Sequence, residues 1–258
     1  MSEMPLLDVR GLGKRYGDRV GCRDVNFTLW PGEVLGVVGE SGSGKTTLLH
    51  TISGSLPPSA GAILFRAADG RVRDLATLPE PELRRLSRAE IGFVQQNPRD
   101  GLRLAVSAGA NIGEPVIAAG ERHYAVIRRT AAAWLDRVEI DADRIDELPT
   151  AFSGGMQQRL QIARALVAKP RLVLMDEPTG GLDVSVQARL LDLLRRLTAE
   201  LDLAMMIVTH DLGVARLLAH RLLVMQQGCV VESGLTDQVL DDPQHPYTQL
   251  LVSSVLAA

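Results

Sequence analysis

Gly39-Glu40-Ser41-Gly42-Ser43-Gly44-Lys45-Thr46 decides the fold class. It has the form G-x-x-x-x-G-K-[ST], the phosphate-cradling loop known as Walker A. Gly39, Gly42 and Gly44 tolerate backbone angles that other residues resist, so amides can approach a phosphate closely. Successive N–H groups and the start of the following helix make an anion site. Lys45 supplies a positive charge for the β- and γ-phosphates, and Thr46 offers a hydroxyl to Mg²⁺. Gly32-Glu33-Val34-Leu35-Gly36-Val37-Val38, just before the loop, is an apolar β-branched run and predicts a buried strand. Thr46 to Ser53 predicts a helix. The ligand implied is a nucleoside triphosphate with its magnesium.

Working outward, residues 6–37 read as a β-rich start. Leu6–Arg10 and Val25–Leu29 alternate apolar and polar residues. Tyr16, in Lys14-Arg15-Tyr16-Gly17, is expected between these strands, with a ring that can stack on adenine. Downstream, Ala62–Phe65 and Ile91–Val94 predict short strands, and Glu80–Arg88 a helix. After Gln96 strand signals vanish. Tyr124–Val138 has helical spacing, with Trp134 on its apolar stripe. Phe152-Ser153-Gly154-Gly155-Met156 is followed by an expected helix over Leu160–Ala168. Arg171–Met175 and Ala204–Val208 predict buried strands, with an amphipathic helix over 184–201 between them. Leu222–Met225 and Cys229–Glu232 flank Gln227-Gly228 as a terminal hairpin, and the tail from Thr236 reads as two helices around Pro243–Pro246.

Strands alternating with helices around such a loop imply an α/β P-loop NTPase with a mainly parallel sheet and helices on both faces. An antiparallel β part is expected at the N-terminus. The expected organisation is one domain over 1–258: an α/β core of 1–96 and 166–258, and a helical subdomain at 97–165.

Composition narrows the function classes. The 258 residues are 46% hydrophobic, enough for a sizeable core. A net charge of −3 and 3% aromatics argue against nucleic acid as partner. Cys22 and Cys229 form no metal pattern and read as neutral thiols, fitting a cytoplasmic setting. Met1–Pro5 is not the start of a signal peptide. No apolar run approaches the ~18 residues a membrane helix needs.

Ligands of such sheets sit at the carboxyl ends of strands, and three segments end there: Walker A, Asp176-Glu177 and His210. Asp176 can hold Mg²⁺, with Thr46 and Gln96. Glu177, one residue on, can act as general base or orient the attacking water. Gln96 can report the γ-phosphate or Mg²⁺ through its amide, and His210 can contact the γ-phosphate and the attacking water; taken alone each reads as a loop polar residue, and only the ensemble raises them. The catalytic set is therefore Glu177, His210 and Gln96. The nucleotide set in the loop is Gly39, Ser41, Gly42, Ser43, Gly44, Lys45, Thr46 and Thr47, with Tyr16.

The order and spacing of Tyr16, Walker A, Gln96, Ser153-Gly154-Gly155, Asp176-Glu177, Gly181-Leu182-Asp183 and His210 resemble the nucleotide-binding domain of ATP-binding-cassette (ABC) ATPases over nearly the whole chain. The usual signature L-S-G-G-Q here has Phe152 and Met156 at its ends. The resemblance implies an Mg²⁺-dependent ATPase and a head-to-tail dimer, homo- or heterodimeric, in which Ser153, Gly154 and Gly155 of one copy complete the ATP site of the other. Asn97–Arg103, Val106–Glu114, Thr179–Arg189 and His245–Leu251 further resemble the ATP-binding subunit of the bacterial carbon–phosphorus lyase system. That implies docking on a soluble lyase core complex in phosphonate breakdown. The chain has no cysteine cluster for the radical chemistry of bond cleavage, which falls to other subunits. The same tail is similar to that of dipeptide-importer ATPases, so a membrane permease for peptides, nickel or phosphonate stays open as partner. A nucleotide-gated clamp on DNA or ribosomes is disfavoured, since such relatives carry a second cassette or long coiled coils.

Overall fold

The computed structural model describes residues 4–256. The reading of Met1-Ser2-Glu3 as no leader lies outside them. The chain runs β1 (Leu7–Tyr16), β2 (Arg19–Leu29), β3 (Val34–Val38), α1 (Lys45–Ile52), β4 (Ala60–Arg66), β5 (Val72–Asp74), α2 (Glu80–Glu90) and β6 (Ile91–Val94). Only helical elements follow: α3 (Pro98–Gly101), α4 (Ala108–Ala118), α5 (Tyr124–Arg137), two 3₁₀ turns, and α6 (Gly154–Leu166). Then come β7 (Leu172–Asp176), α7 (Val184–Leu201), β8 (Ala204–Val208), α8 (Leu212–Leu218), β9 (Arg221–Gln226), β10 (Cys229–Leu235), α9 (Thr236–Asp241) and α10 (Pro246–Leu256).

Two sheets form. The larger has the order β10-β9-β3-β8-β7-β6, with β9, β3, β8, β7 and β6 parallel and β10 antiparallel at the edge. The smaller, β2-β1-β4-β5, is antiparallel throughout. Strand periodicity splits the interior in two. Val34, Val38, Val173, Met175, Met205 and Ile207 point into a core closed by α4 to α8. Leu35, Val37, Leu172, Leu174, Met206 and Val208 point the other way, onto α1 and the antiparallel sheet. Strands buried on both faces read as unbroken apolar runs, which is why β3, β7 and β8 were legible without alternation.

Three expectations change. Tyr16 lies within β1, not between strands, because the β1–β2 ladder continues through Arg15↔Val20 to Tyr16↔Arg19. The helix placed at Leu160–Ala168 begins at Gly154, capped by Ser153, and ends at Leu166. Two glycines in its first turn hid its start, since they lower propensity where a cap can compensate. The terminal strand runs to Leu235, three residues beyond the expected Glu232. Among the described residues no helix is long and apolar enough to cross a membrane. Cys22 and Cys229 are both free thiols, and burial pushes Cys22 up from the ordinary thiol range.

Candidate nucleotide site

Walker A leaves the carboxyl end of β3 and turns directly into α1. Gly44 caps the helix at φ +104, and a Cβ there would strike the Gly21 carbonyl of β2. Gly39 has φ +146, and a Cβ would collide with the Met225 carbonyl of β9. The loop is thus pressed between neighbouring strands, and only glycine fits at both contacts. The β9–β10 turn adds a clasp: Gly228 N–H donates to the Ser43 carbonyl at 2.9 Å, while Arg23 N–H donates to the Gly228 carbonyl at 2.8 Å.

Lys45 is buried, and its Nζ donates to the carbonyls of Gly39 (2.7 Å) and Glu40 (2.9 Å). Burial lowers its pKa, opposed by the nearby Glu177 and Asp176. The Ser43 hydroxyl is buried with no hydrogen-bond partner. A cradle of backbone amides holding an orphaned hydroxyl and a cation is chemically suited to phosphate oxygens.

The acidic edge stands opposite. Asp176 ends β7, paired in register with Val208 at the end of β8. It is buried, and its Oδ1 accepts from the Thr46 hydroxyl at 3.1 Å, so two of the three expected metal residues meet across 130 positions of sequence. Burial pushes the Asp176 carboxyl above its ordinary range, only partly offset by the Thr46 bond. Both donors are oxygens, as a hard cation requires. No group of three or more His, Cys, Asp and Glu able to hold a metal exists among the described residues. The Thr46 hydroxyl and Asp176 carboxylate are the donor types Mg²⁺ takes, usually one or two protein oxygens together with phosphates.

Glu177 adopts φ +43, a left-handed conformation uncommon outside glycine. Its N–H donates to the Val208 carbonyl at 2.9 Å, so the sheet end holds that strained residue. The His210 Nδ1–H faces Glu177 Oε1 at 2.9 Å, the imidazole donating to the carboxylate. The Glu177 side chain is 11% exposed and that of His210 68%. The acid is held by its own fold, whereas the imidazole stands open.

These groups border one cleft of about 890 Å³. It is lined by Tyr16, Gly39, Ser41, Gly42, Gly44, Lys45, Thr46, Thr47, Gln96, Glu177 and His210. Tyr16 lies at its β1–β2 end, with Lys14 Nζ 5.4 Å from the ring centroid. Ser43 and Asp176 lie behind the lining rather than in it. Gln96 directly follows a clamp that sequence reasoning missed. The Gln161 amide of α6 accepts from the Gln95 N–H and donates to the Gln95 carbonyl at 3.2 Å.

Ser153, Gly154 and Gly155 do not line the cleft. Ser153 caps α6, its Oγ accepting weakly from Met156 N–H at 3.4 Å. A Cβ on Gly154 would meet nothing within 4 Å, while Gly155 is pressed onto Val186 of α7. The helix start therefore presents an exposed, side-chain-free surface. Sequence reasoning left Glu40 of the loop out of the nucleotide set and missed Arg19, Val20, Gly21 and Leu251 in the lining, and Tyr247 behind it. Apart from Glu40, only Tyr247 and Leu251 had a signal, the His245–Leu251 tail noted for its resemblance.

The ABC transporter family pattern matches residues 22–180. The putative phosphonates utilization ATP-binding protein PhnK of Escherichia coli (strain K12) is 68% identical over 252 residues, covering 98% of both chains. A putative peptide import ATP-binding protein of Brucella melitensis is 40% identical over 99% of this chain and 79% of its own. Among solved structures, the ATP-binding cassette MJ0796, a dimer in a post-hydrolysis state bound to ADP and phosphate, superposes with a TM-score of 0.79 at 30% identity, covering 89% of this chain and 98% of the other. The structure of cbiO1 from Clostridium perfringens, part of an ABC transporter complex, gives 0.80 at 29% identity, covering 93% and 92%. This chain belongs to the ABC transporter family, and its fold is that of an ATP-binding cassette.

Proposed function

We propose that this member of the ABC family hydrolyses ATP between two cassettes and uses the resulting opening and closing to act on a phosphonate-degrading complex. The observation that carries the hydrolytic reading is the Glu177–His210 pair, held at 2.9 Å in the cleft that Lys45 also lines. The pathway reading rests on the 68% identity to the phosphonate-utilisation protein.

Each residue then has a role. Tyr16 stacks on the adenine. The loop amides from Gly42 to Thr46 receive the phosphates, and Lys45 exchanges its two carbonyl partners for β- and γ-phosphate oxygens. Mg²⁺, when bound, neutralises charge on the β- and γ-phosphates; Thr46, Asp176 and Gln96 would hold it. Glu177 accepts a hydrogen bond from the attacking water and takes its proton as the new phosphorus–oxygen bond forms. The bond from γ-phosphorus to the β,γ-bridging oxygen breaks in line, giving ADP and phosphate. His210 donates from Nδ1 to Glu177, which orients the carboxylate; in that tautomer its outer ring nitrogen is an acceptor and can take a hydrogen bond from the attacking water.

The exposed α6 start supplies serine hydroxyl and glycine amides to the ATP of a second copy or a related cassette. The 97–165 segment carries that surface and, at Gln95–Gln96, connects it to the cleft. Docking on a soluble carbon–phosphorus lyase core complex is the favoured assembly. The second reading, an ATPase of a membrane importer, is favoured by the 40% identity to a peptide import protein. Capturing partners with Glu177→Gln in the presence of ATP tests both. Recovery of a large soluble phosphonate-degrading assembly supports the first. Recovery only in membranes with permease subunits supports the second.

A further inference from the structure

The C-terminal helix reaches the phosphate loop. Tyr247, in the first turn of α10, is only 7% exposed, and its hydroxyl oxygen accepts the Glu40 N–H at 2.9 Å. The same peptide unit offers its carbonyl, that of Gly39, to Lys45 Nζ at 2.7 Å. One peptide plane at the entrance of Walker A is thus gripped on its N–H side by Tyr247 and on its C=O side by Lys45. When Lys45 turns to a phosphate, only the Tyr247 grip remains. One helical turn further, Leu251 lines the nucleotide cleft itself, so α10 turns one face to the site.

The tail is braced for this. The Glu232 carboxylate of β10 accepts the N–H groups of Gln244 (2.8 Å) and His245 (3.0 Å), fixing the chain just before α10. His245 Nδ1 accepts the Tyr247 N–H at 3.2 Å. Burial holds the Tyr247 hydroxyl above its ordinary range, so it stays a neutral phenol whose oxygen is available to the amide.

We propose that Tyr247 is a positioning residue for the nucleotide site, holding the Gly39–Glu40 peptide so that the loop keeps its phosphate-binding shape while Lys45 changes partners. The inference rests on the nucleotide reading of the cleft. It makes the C-terminal segment part of the ATPase rather than an appendage.

Tyr247→Phe keeps the ring and removes only the oxygen. In the full-length protein it is expected to weaken ATP binding by about 2–10-fold, the range of one lost hydrogen bond. Amide hydrogen exchange at Glu40 should speed up to match. Thr248→Val, at a buried neighbour whose hydroxyl has no hydrogen-bond partner, separates positioning from general packing of α10 and should bind ATP like the parent. Unchanged ATP affinity and Glu40 exchange in Tyr247→Phe would overturn the proposal, as would an equal loss of affinity in Thr248→Val. If the parent itself binds no ATP, the nucleotide reading fails, and that result is distinct from either.

Discussion

The two glycine-rich segments of this chain, Gly39–Thr46 and Ser153–Gly155, have opposite surroundings. The first is enclosed by β2, the β9–β10 turn and α10, with Gly44, Ser43 and Glu40 each against a different neighbour. The second caps an exposed helix end, and Gly154 has open space where a side chain would go. Glycine serves close internal approach at Gly39 and Gly44 of the first and at Gly155 of the second, while Gly42 and Gly154 leave bare surface. A loop anchored by glycines pressed on its own neighbours is explained within one chain. An exposed cap with a bare glycine gains its meaning from whatever approaches it.

Several experiments break or sharpen that contrast. Glu177→Gln should have the largest effect: phosphate release falls by about 100-fold or more while ATP still binds, because a general base is removed and the phosphate cradle is not. Size-exclusion chromatography with ATP should then show the two segments locked together in a dimer. Hydrolysis at the parent rate would remove Glu177 from the mechanism.

Lys45→Ala and Gly154→Asp should separate the segments. The first loses a charged donor and should weaken ATP binding roughly 10–100-fold in a titration of the single chain. The second places a carboxylate where nothing lies within 4 Å, so the monomer should fold and bind ATP within about twofold of the parent. Its ATP-driven dimer, followed by light scattering, should be lost through repulsion of phosphate. Equal affinity loss in both variants would mean that the exposed segment belongs to the intrachain site.

Asp176→Asn probes the cost of the buried acid. Its carboxyl is pushed up by burial, so ionisation is disfavoured in the folded state and destabilises it above that raised value. The variant should abolish magnesium-dependent hydrolysis yet raise the nucleotide-free thermal midpoint by a few degrees near pH 7. The gain should shrink as pH falls through the raised range of the Asp176 carboxyl, because protonation there removes the buried charge. A midpoint lowered at pH 7 would show that the Thr46 bond outweighs burial. The smallest effect is expected from Ser153→Ala, whose cap bond is long at 3.4 Å. Thermal stability should drop by about 0.5 kcal/mol, the low end for a lost cap, with the larger consequence falling on dimerisation.

Legibility in the sequence followed local chemistry. The unbroken apolar runs of β3, β7 and β8 and the glycine pattern of Walker A were readable because burial on two faces and a tight phosphate turn each demand particular residues over a few positions. Asp176, Glu177 and His210 could be placed because each ends such a run. The start of α6 was misread because its cap and glycines weaken the periodic signal that marks a helix. Tyr16 was set outside β1 because the exposed last residues of that strand, Arg15 and Tyr16, carry no apolar alternation.

The sequence by itself determined the parallel α/β class, the triphosphate cradle and the acidic strand ends, since each follows from spacing within a dozen residues. Only the tertiary structure decided that Thr46 meets Asp176, that Gln161 clamps Gln95, and that Tyr247 holds the loop from 207 residues away. Hydrogen bonds between distant segments depend on how layers pack and on which groups that packing buries, and neither is written in any short stretch of chain.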